Sequence, residues 1–130
     1  MLKVRTPLLL LLFLLLLTAQ AWAAPVNVNA SQASKLVGEK ANLLLLDVRT
    51  PQEYFQMRLE GAVLIPIDQF ERRLREVPRD RPVLIYCAVG SRSSMVANYL
   101  ARLGYPEVYN LKGGIYAWQM RRYPVLTGPG

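Results

Sequence analysis

The sequence predicts an α/β domain: a mainly parallel sheet with helices on both of its faces. Three observations point there. Apolar runs of strand length recur along the chain, and runs without polar alternation suit strands buried on both faces of a parallel sheet. Stretches with helix-capping signals and helical apolar spacing stand between those runs, and such alternation is the mark of α/β architecture. After the first 23 residues, no repeat, linker or low-complexity segment breaks the pattern.

The first 23 residues stand apart from the domain. Lys3 and Arg5 make a basic start, residues 8–17 are leucine except for Phe13, and Ala21-Trp22-Ala23 places small residues where a signal peptidase reads. This is the pattern of a secretory signal cleaved after Ala23. An uncut membrane anchor fits less well. A spanning helix needs ~20 apolar residues, which residues 8–24 approach only by counting Thr18 and Gln20. The expected product is a single domain of residues 24–130, exported, with a Gram-negative periplasm as the destination.

Val26–Val28 reads as a short first strand, followed by a helix over 31–37 with Ser31 as N-cap. Leu43–Val48 is the first long apolar run. Thr50 then caps a helix over 51–57, with Pro51 at the first helical position and Glu53 completing a capping box. Ala62–Ile65 is a further strand. Asp68 and Glu71 repeat the capping-box spacing before a helix over 69–76. Val83–Cys87 is the next strand. A helix over 93–103 gathers Val96, Ala97, Leu100 and Leu103 on one face, and Gly104 ends it. Val108–Leu111 is the last strand, and a helix over 114–121 brings Ile115 and Trp118 together. The tail, Thr127–Gly130, is expected to fray.

Composition narrows the chemistry. The chain has no histidine, which removes Ser-His and Cys-His catalysis and histidine metal sites. It has one cysteine, Cys87, so no internal disulfide can form, even in an oxidising compartment. Sixteen basic residues, less Lys3 and Arg5, against nine acids leave 14 − 9 = +5 on residues 24–130. The arginines between Arg72 and Arg81 read as a solvated face. No nucleic-acid motif accompanies them, and a mild positive field can still concentrate small anions. No metal or organic cofactor is implied, and the default state is a monomer.

The segment Val83–Ser94, VLIYCAVGSRSS, carries the chemistry. An apolar strand ends at Cys87, where α/β sheets place their ligands. A loop with Gly90 leads into a helix. Such a loop turns backbone N–H groups inward, and the helix start adds more of them with the positive end of a dipole. A thiol in that cradle is expected to be held as thiolate, helped by Arg92. Ser93 is read as a cap, and Ser91 or Ser94 as further hydroxyl donors. The plainer alternative is a buried structural cysteine.

At this loop the sequence resembles the rhodanese family, and the match covers nearly all of residues 25–122. Cys87-Ala88-Val89-Gly90-Ser91-Arg92-Ser93 fits its C-x-x-G-x-R-S active loop. Leu46-Asp47-Val48-Arg49 with Glu53-Tyr54 resembles its first signature. Gly61-Ala62 with Ile65-Pro66 resembles the next turn and strand. Leu111-Lys112-Gly113-Gly114-Ile115 with Trp118 resembles the closing one. Two places depart from the pattern. Met57-Arg58-Leu59 stands where members often have Gly-His-Ile, and Ala88 and Val89 are uncharged where some thiosulfate-preferring members have basic residues.

The resemblance implies a twisted parallel sheet of about five strands and a two-step sulfur transfer. Cys87 takes the outer sulfur from a small anionic donor such as thiosulfate, becomes a persulfide, and yields the sulfur to a thiol or cyanide. The backbone of Ala88, Val89, Gly90, Ser91, Arg92 and Ser93 would hold the persulfide charge, and Arg92 would help bind the donor. Asp47 and Arg49 are expected to brace neighbouring loops as a hydrogen-bonded pair, Glu53 to act as a capping-box residue, and Gly113 and Gly114 to form a tight turn. Two other functions compete. A related phosphatase or arsenate reductase would have C-x5-R, whereas Cys87 and Arg92 are spaced as C-x4-R. A non-turnover sulfur carrier or protein-binding module, passing sulfur to a partner protein, keeps the same cysteine.

Overall fold

A computed structural model describes residues 24–129. The expected signal segment, residues 1–23, and Gly130 lie outside the described residues. Five strands, β1 (Val26–Val28), β2 (Leu44–Asp47), β3 (Val63–Leu64), β4 (Val83–Tyr86) and β5 (Val108–Leu111), form one sheet in the order β1-β5-β4-β2-β3. Every pairing is parallel. The helices are α1 (Ala30–Glu39), α2 (Pro51–Gln56), α3 (Ser91–Arg102) and α4 (Gly114–Met120).

Side-chain alternation along the strands divides the core into two layers. Leu44, Leu46, Val83 and Ile85 join Val96, Ala97 and Leu100 of α3 on one face. Leu45, Leu84 and Tyr86 join Ala33 of α1 and Ile115 and Trp118 of α4 on the other. The inner strands β2 and β4 are thus covered on both faces, which explains their uninterrupted apolar character. The chain leaves β2 toward β3 and leaves β4 toward β5, in opposite directions. The adjacent carboxyl ends of β2 and β4 therefore form the topological switch point, where open α/β sheets bind ligands.

Several local expectations need correction. Asn29, not Ser31, caps α1. Its Oδ1 accepts from Gln32 N at 2.9 Å while Gln32 Oε1 accepts from Asn29 N at 2.9 Å. Ser31 has Ser34 at the reciprocal position, which cannot close a capping box. Asp68 and Glu71 cap nothing. The segment after Pro66 forms two 3-10 turns, Ile67–Gln69 and Glu71–Glu76, with no side-chain cap. Ile67 N bonds to Val48 O at 3.1 Å, which ties this segment to the end of β2 while Phe70 and Val77 pack into the core.

The arginine cluster is partly structural. Arg73 pairs with Glu76 at 2.7 Å. Arg79 donates to Leu103 O at 2.8 Å, and Arg81 to Asn42 O at 2.7 Å.

The tail is held rather than frayed up to Gly128. Arg58 and Leu126 form an antiparallel bridge, and Arg58 Nη1 donates to Gly128 O at 2.6 Å. The guanidinium also lies over the Tyr54 ring, 4.9 Å from its centroid. The arginine where the resemblance leads one to expect histidine is therefore a buried clamp on the tail.

Candidate active site

The loop after β4 is built around the sulfur of Cys87. Gly90 N donates to Sγ at 3.1 Å and Ser93 N at 3.4 Å, and Ser93 Oγ lies 3.3 Å away. The wrap depends on Gly90, whose φ of +102° is closed to most side chains. A Cβ there would also stand 3.1 Å from Gly113 N. Helix α3 begins at Ser91 with Gly90 as N-cap, so Ser93 is not a cap. Its hydroxyl proton serves either the Gly90 carbonyl, 3.2 Å away, or the sulfur. Ser93 is the hydroxyl at Sγ, in the third helical position, where both its N–H and its side chain reach back into the loop.

Burial pushes the Cys87 thiol up, but hydrogen bonds from Ser93 Oγ and from the N–H groups of Ser93, Gly90 and Val89 outweigh it. The net effect lowers the thiol below its ordinary value, as donors to a thiolate must. Cys87 is 0% exposed. Val89, at 57% exposure, forms the outer edge of the loop. Ala88 is half-buried and Ser91 exposed.

The turn after β5 supports the loop from behind. Ile115 N donates to Cys87 O at 2.9 Å and Tyr116 N to Ala88 O at 3.2 Å. A Cβ at Gly114 would stand 2.3 Å from Ala88 O and 2.5 Å from Cys87 O. Gly114 is therefore more than a turn residue, because its missing side chain is where the two carbonyls sit.

Arg92 does not stand free beside the thiol. Its Nη1 and Nη2 bond to Oε1 and Oε2 of Glu53 at 2.8 and 3.0 Å, a bidentate pair. Glu53 also keeps its capping box with Thr50. Arg92 holds the Glu53 carboxyl at about 2, with help from Thr50 against a smaller effect of burial. The spacing Thr50-x-x-Glu53 marked only the cap. The partner lies 39 residues further along, and no local pattern points to it.

Asp47 and Arg49 form a buried pair with Nη2–Oδ2 at 2.7 Å. Arg49 also donates to Met57 O at 2.7 Å, joining the end of β2 to the end of α2. Asp47 stands opposite Tyr86 in the sheet, one residue before Cys87, and the Tyr86 hydroxyl accepts from Leu59 N at 3.2 Å. This network directs its polar groups at one another.

Among the described residues, no three His, Cys, Asp or Glu side chains gather as a metal site requires. A groove of about 460 Å³ along the outer side of α3, lined by Ile67, Phe70, Met95 and Tyr99 among others, shares no residue with the Cys87–Ser93 loop.

Residues 29–121 match the model of the rhodanese-like domain. The chain belongs to the rhodanese family. It is 36% identical over 104 residues to a protein named sulfurtransferase from Allochromatium vinosum, covering 80% of this chain and 97% of that one. It is 30% identical over 93 residues to the thiosulfate sulfurtransferase GlpE of Tolumonas auensis, covering 72% and 87%. A rhodanese-related protein from Thermoplasma volcanium superposes with a TM-score of 0.71 at 29% identity, over 78% of this chain and 97% of that one. The fold of this chain is the five-stranded α/β sheet expected from the apolar runs.

Proposed function

We propose that this rhodanese domain is a sulfurtransferase that carries sulfane sulfur on Cys87. The family and the sulfurtransferase-named relatives support the sulfurtransferase-type role. The observation that carries the residue assignment is the convergence of Gly90 N, Ser93 N and Ser93 Oγ on one thiol at the switch point of the sheet. Donors arranged around a thiolate can also stabilise a persulfide anion.

With thiosulfate, Cys87 thiolate attacks the outer sulfur. A new S–S bond forms, the S–S bond of thiosulfate breaks, and sulfite leaves with the electron pair. The enzyme then holds Cys–S–S⁻. Cyanide attacks the outer sulfur of that persulfide, thiocyanate leaves and the Cys87 thiolate returns. With an organic persulfide R–S–SH as donor, the leaving group is the thiolate RS⁻. The Ala88–Ser93 backbone positions the charge, and Ser93 Oγ turns from the Gly90 carbonyl to the sulfur as charge builds there. Asp47 and Arg49 act at a distance, as a pair that ties the end of β2 to the end of α2.

Export to a periplasm, cleavage after Ala23 and action as a monomer with a thiol-bearing acceptor, small or protein, complete the reading. The test is the intact mass of the purified protein after brief thiosulfate or polysulfide treatment, beside a Cys87→Ser variant. A gain of one sulfur, reversed by cyanide with release of thiocyanate and absent from the variant, is expected. No gain from either donor, with Cys87 shown to be reduced beforehand, would overturn the proposal. A non-turnover carrier would load in the same way but release sulfur slowly to cyanide and quickly to one partner protein.

A further inference from the structure

Charges around Cys87 cancel in pairs. The two terminal nitrogens of Arg92 are taken by Glu53, at 2.8 and 3.0 Å. Asp47 and Arg49 neutralise each other at the end of β2. Lys112 lies in the turn packed against Gly90. It is solvent exposed, where water and salt screen its field. Ala88 and Val89 add no charge. A dianion approaching the Cys87 thiolate meets repulsion that a free guanidinium would offset.

We infer that Glu53 sets the charge preference of the site: by neutralising Arg92 it disfavours dianionic sulfur donors and favours donors of lower charge, such as an organic persulfide. The inference rests on the sulfur-transfer reading and narrows its donor class. Glu53 acts through Arg92 and does not touch the reacting sulfur. Its position is secured independently of Arg92 by the capping box, in which Thr50 Oγ1 accepts from Glu53 N at 3.2 Å. Glutamine serves equally well at that capping position, so Glu53→Gln removes the charge and keeps the helix start.

The test compares the wild type with Glu53→Gln, Arg92→Gln and the double variant, each checked for folding by circular dichroism. The first readout is the ratio of Cys87 alkylation rates by iodoacetate, an anion, and iodoacetamide, a neutral reagent. Both need the thiolate, so the ratio reports local charge and not thiol pKa. A unit charge on Arg92, which lies within Coulombic reach of Cys87 and is partly screened, should move it roughly three- to tenfold.

Glu53→Gln should raise the ratio and Arg92→Gln should lower it, because each leaves one charge unmatched. The double variant should return to within about twofold of wild type. The second readout is kcat/KM for thiosulfate against cysteine persulfide, whose preference should shift toward thiosulfate in Glu53→Gln by a similar factor. An unchanged alkylation ratio in Glu53→Gln overturns the inference. Should that variant not fold, an Arg92→Gln ratio equal to wild type overturns it as well. Absence of persulfide loading from both donors, with the alkylation pattern intact, overturns the sulfur-transfer reading and with it the donor preference.

Discussion

Replacing Gly114 with alanine tests how the closing turn shapes the Cys87 loop, and Gly61 is its control. Both glycines have positive φ, +61° and +78°, so alanine costs about 1–2 kcal/mol of left-handed strain at either position. The gain from stiffening the unfolded chain is also shared. The surroundings differ. Nothing lies within 4 Å of a Cβ at Gly61, whereas at Gly114 it would stand 2.3 Å from Ala88 O and 2.5 Å from Cys87 O. Those carbonyls must retreat, and they are the acceptors of Tyr116 N and Ile115 N. Two backbone hydrogen bonds at about 1 kcal/mol each bring the expected loss for Gly114→Ala to about 3–4 kcal/mol, against about 1–2 for Gly61→Ala. Urea unfolding of the two variants measures the difference. The displaced loop should also withdraw its donors from Sγ, raising the thiol pKa in Gly114→Ala and leaving it in place in Gly61→Ala. This can be followed by thiolate absorbance against pH. Equal losses of stability, with both thiols titrating as in wild type, would refute the reasoning.

Three further outcomes are expected. Ser93→Ala should shift the midpoint of iodoacetamide alkylation of Cys87 upward by roughly half to one pH unit, the equivalent of about 1 kcal/mol of lost donor; an unmoved midpoint would assign the lowered thiol to the backbone alone. Glu53 has its carboxyl depressed from 4.5 to about 2, so its contribution to stability is present above about pH 4.5 and is lost as pH falls through about 2. The shift corresponds to about 3 kcal/mol, reduced to about 1–2 because the side chain is 29% exposed and screened. Denaturation of wild type and Glu53→Gln should differ by that amount at pH 7 and converge near pH 2, and a gap constant over that range would count against the ion pair. Arg49→Leu leaves the buried Asp47 carboxylate unpaired and should lose about 3–5 kcal/mol. Pairing it with Asp47→Leu should recover part of that loss in urea melts, and a double variant no more stable than the single would remove the buried pair from the account.

The chain's own residues determined the class of fold and the place of the thiol. Apolar runs without alternation announced strands covered on both faces, and they occur at β2, β4 and β5 because parallel strands with helices on either side need apolar residues on both faces. The capping box at Thr50 and Glu53 was legible because its partners are three residues apart. So was the strand-Cys87-loop-helix order that puts the thiol at a carboxyl end. Local signals failed where two candidates competed or where none decided. Asn29 displaced Ser31 because only Asn29 has a reciprocal Gln32, and the Asp68 spacing lost to the tether between Ile67 and Val48.

The tertiary structure alone decided which charges and which empty spaces surround the sulfur. Glu53 reaches Arg92 across 39 residues. Gly114 owes its lack of a side chain to two carbonyls of another loop. Arg58 clamps a tail 70 residues away. None of these has a sequence period, because each joins residues far apart in the chain that only the fold brings together. Side-chain spacing along a chain reports what a residue does within its own turn of helix or strand, whereas electrostatic neutralisation and steric fit are set by distance in space.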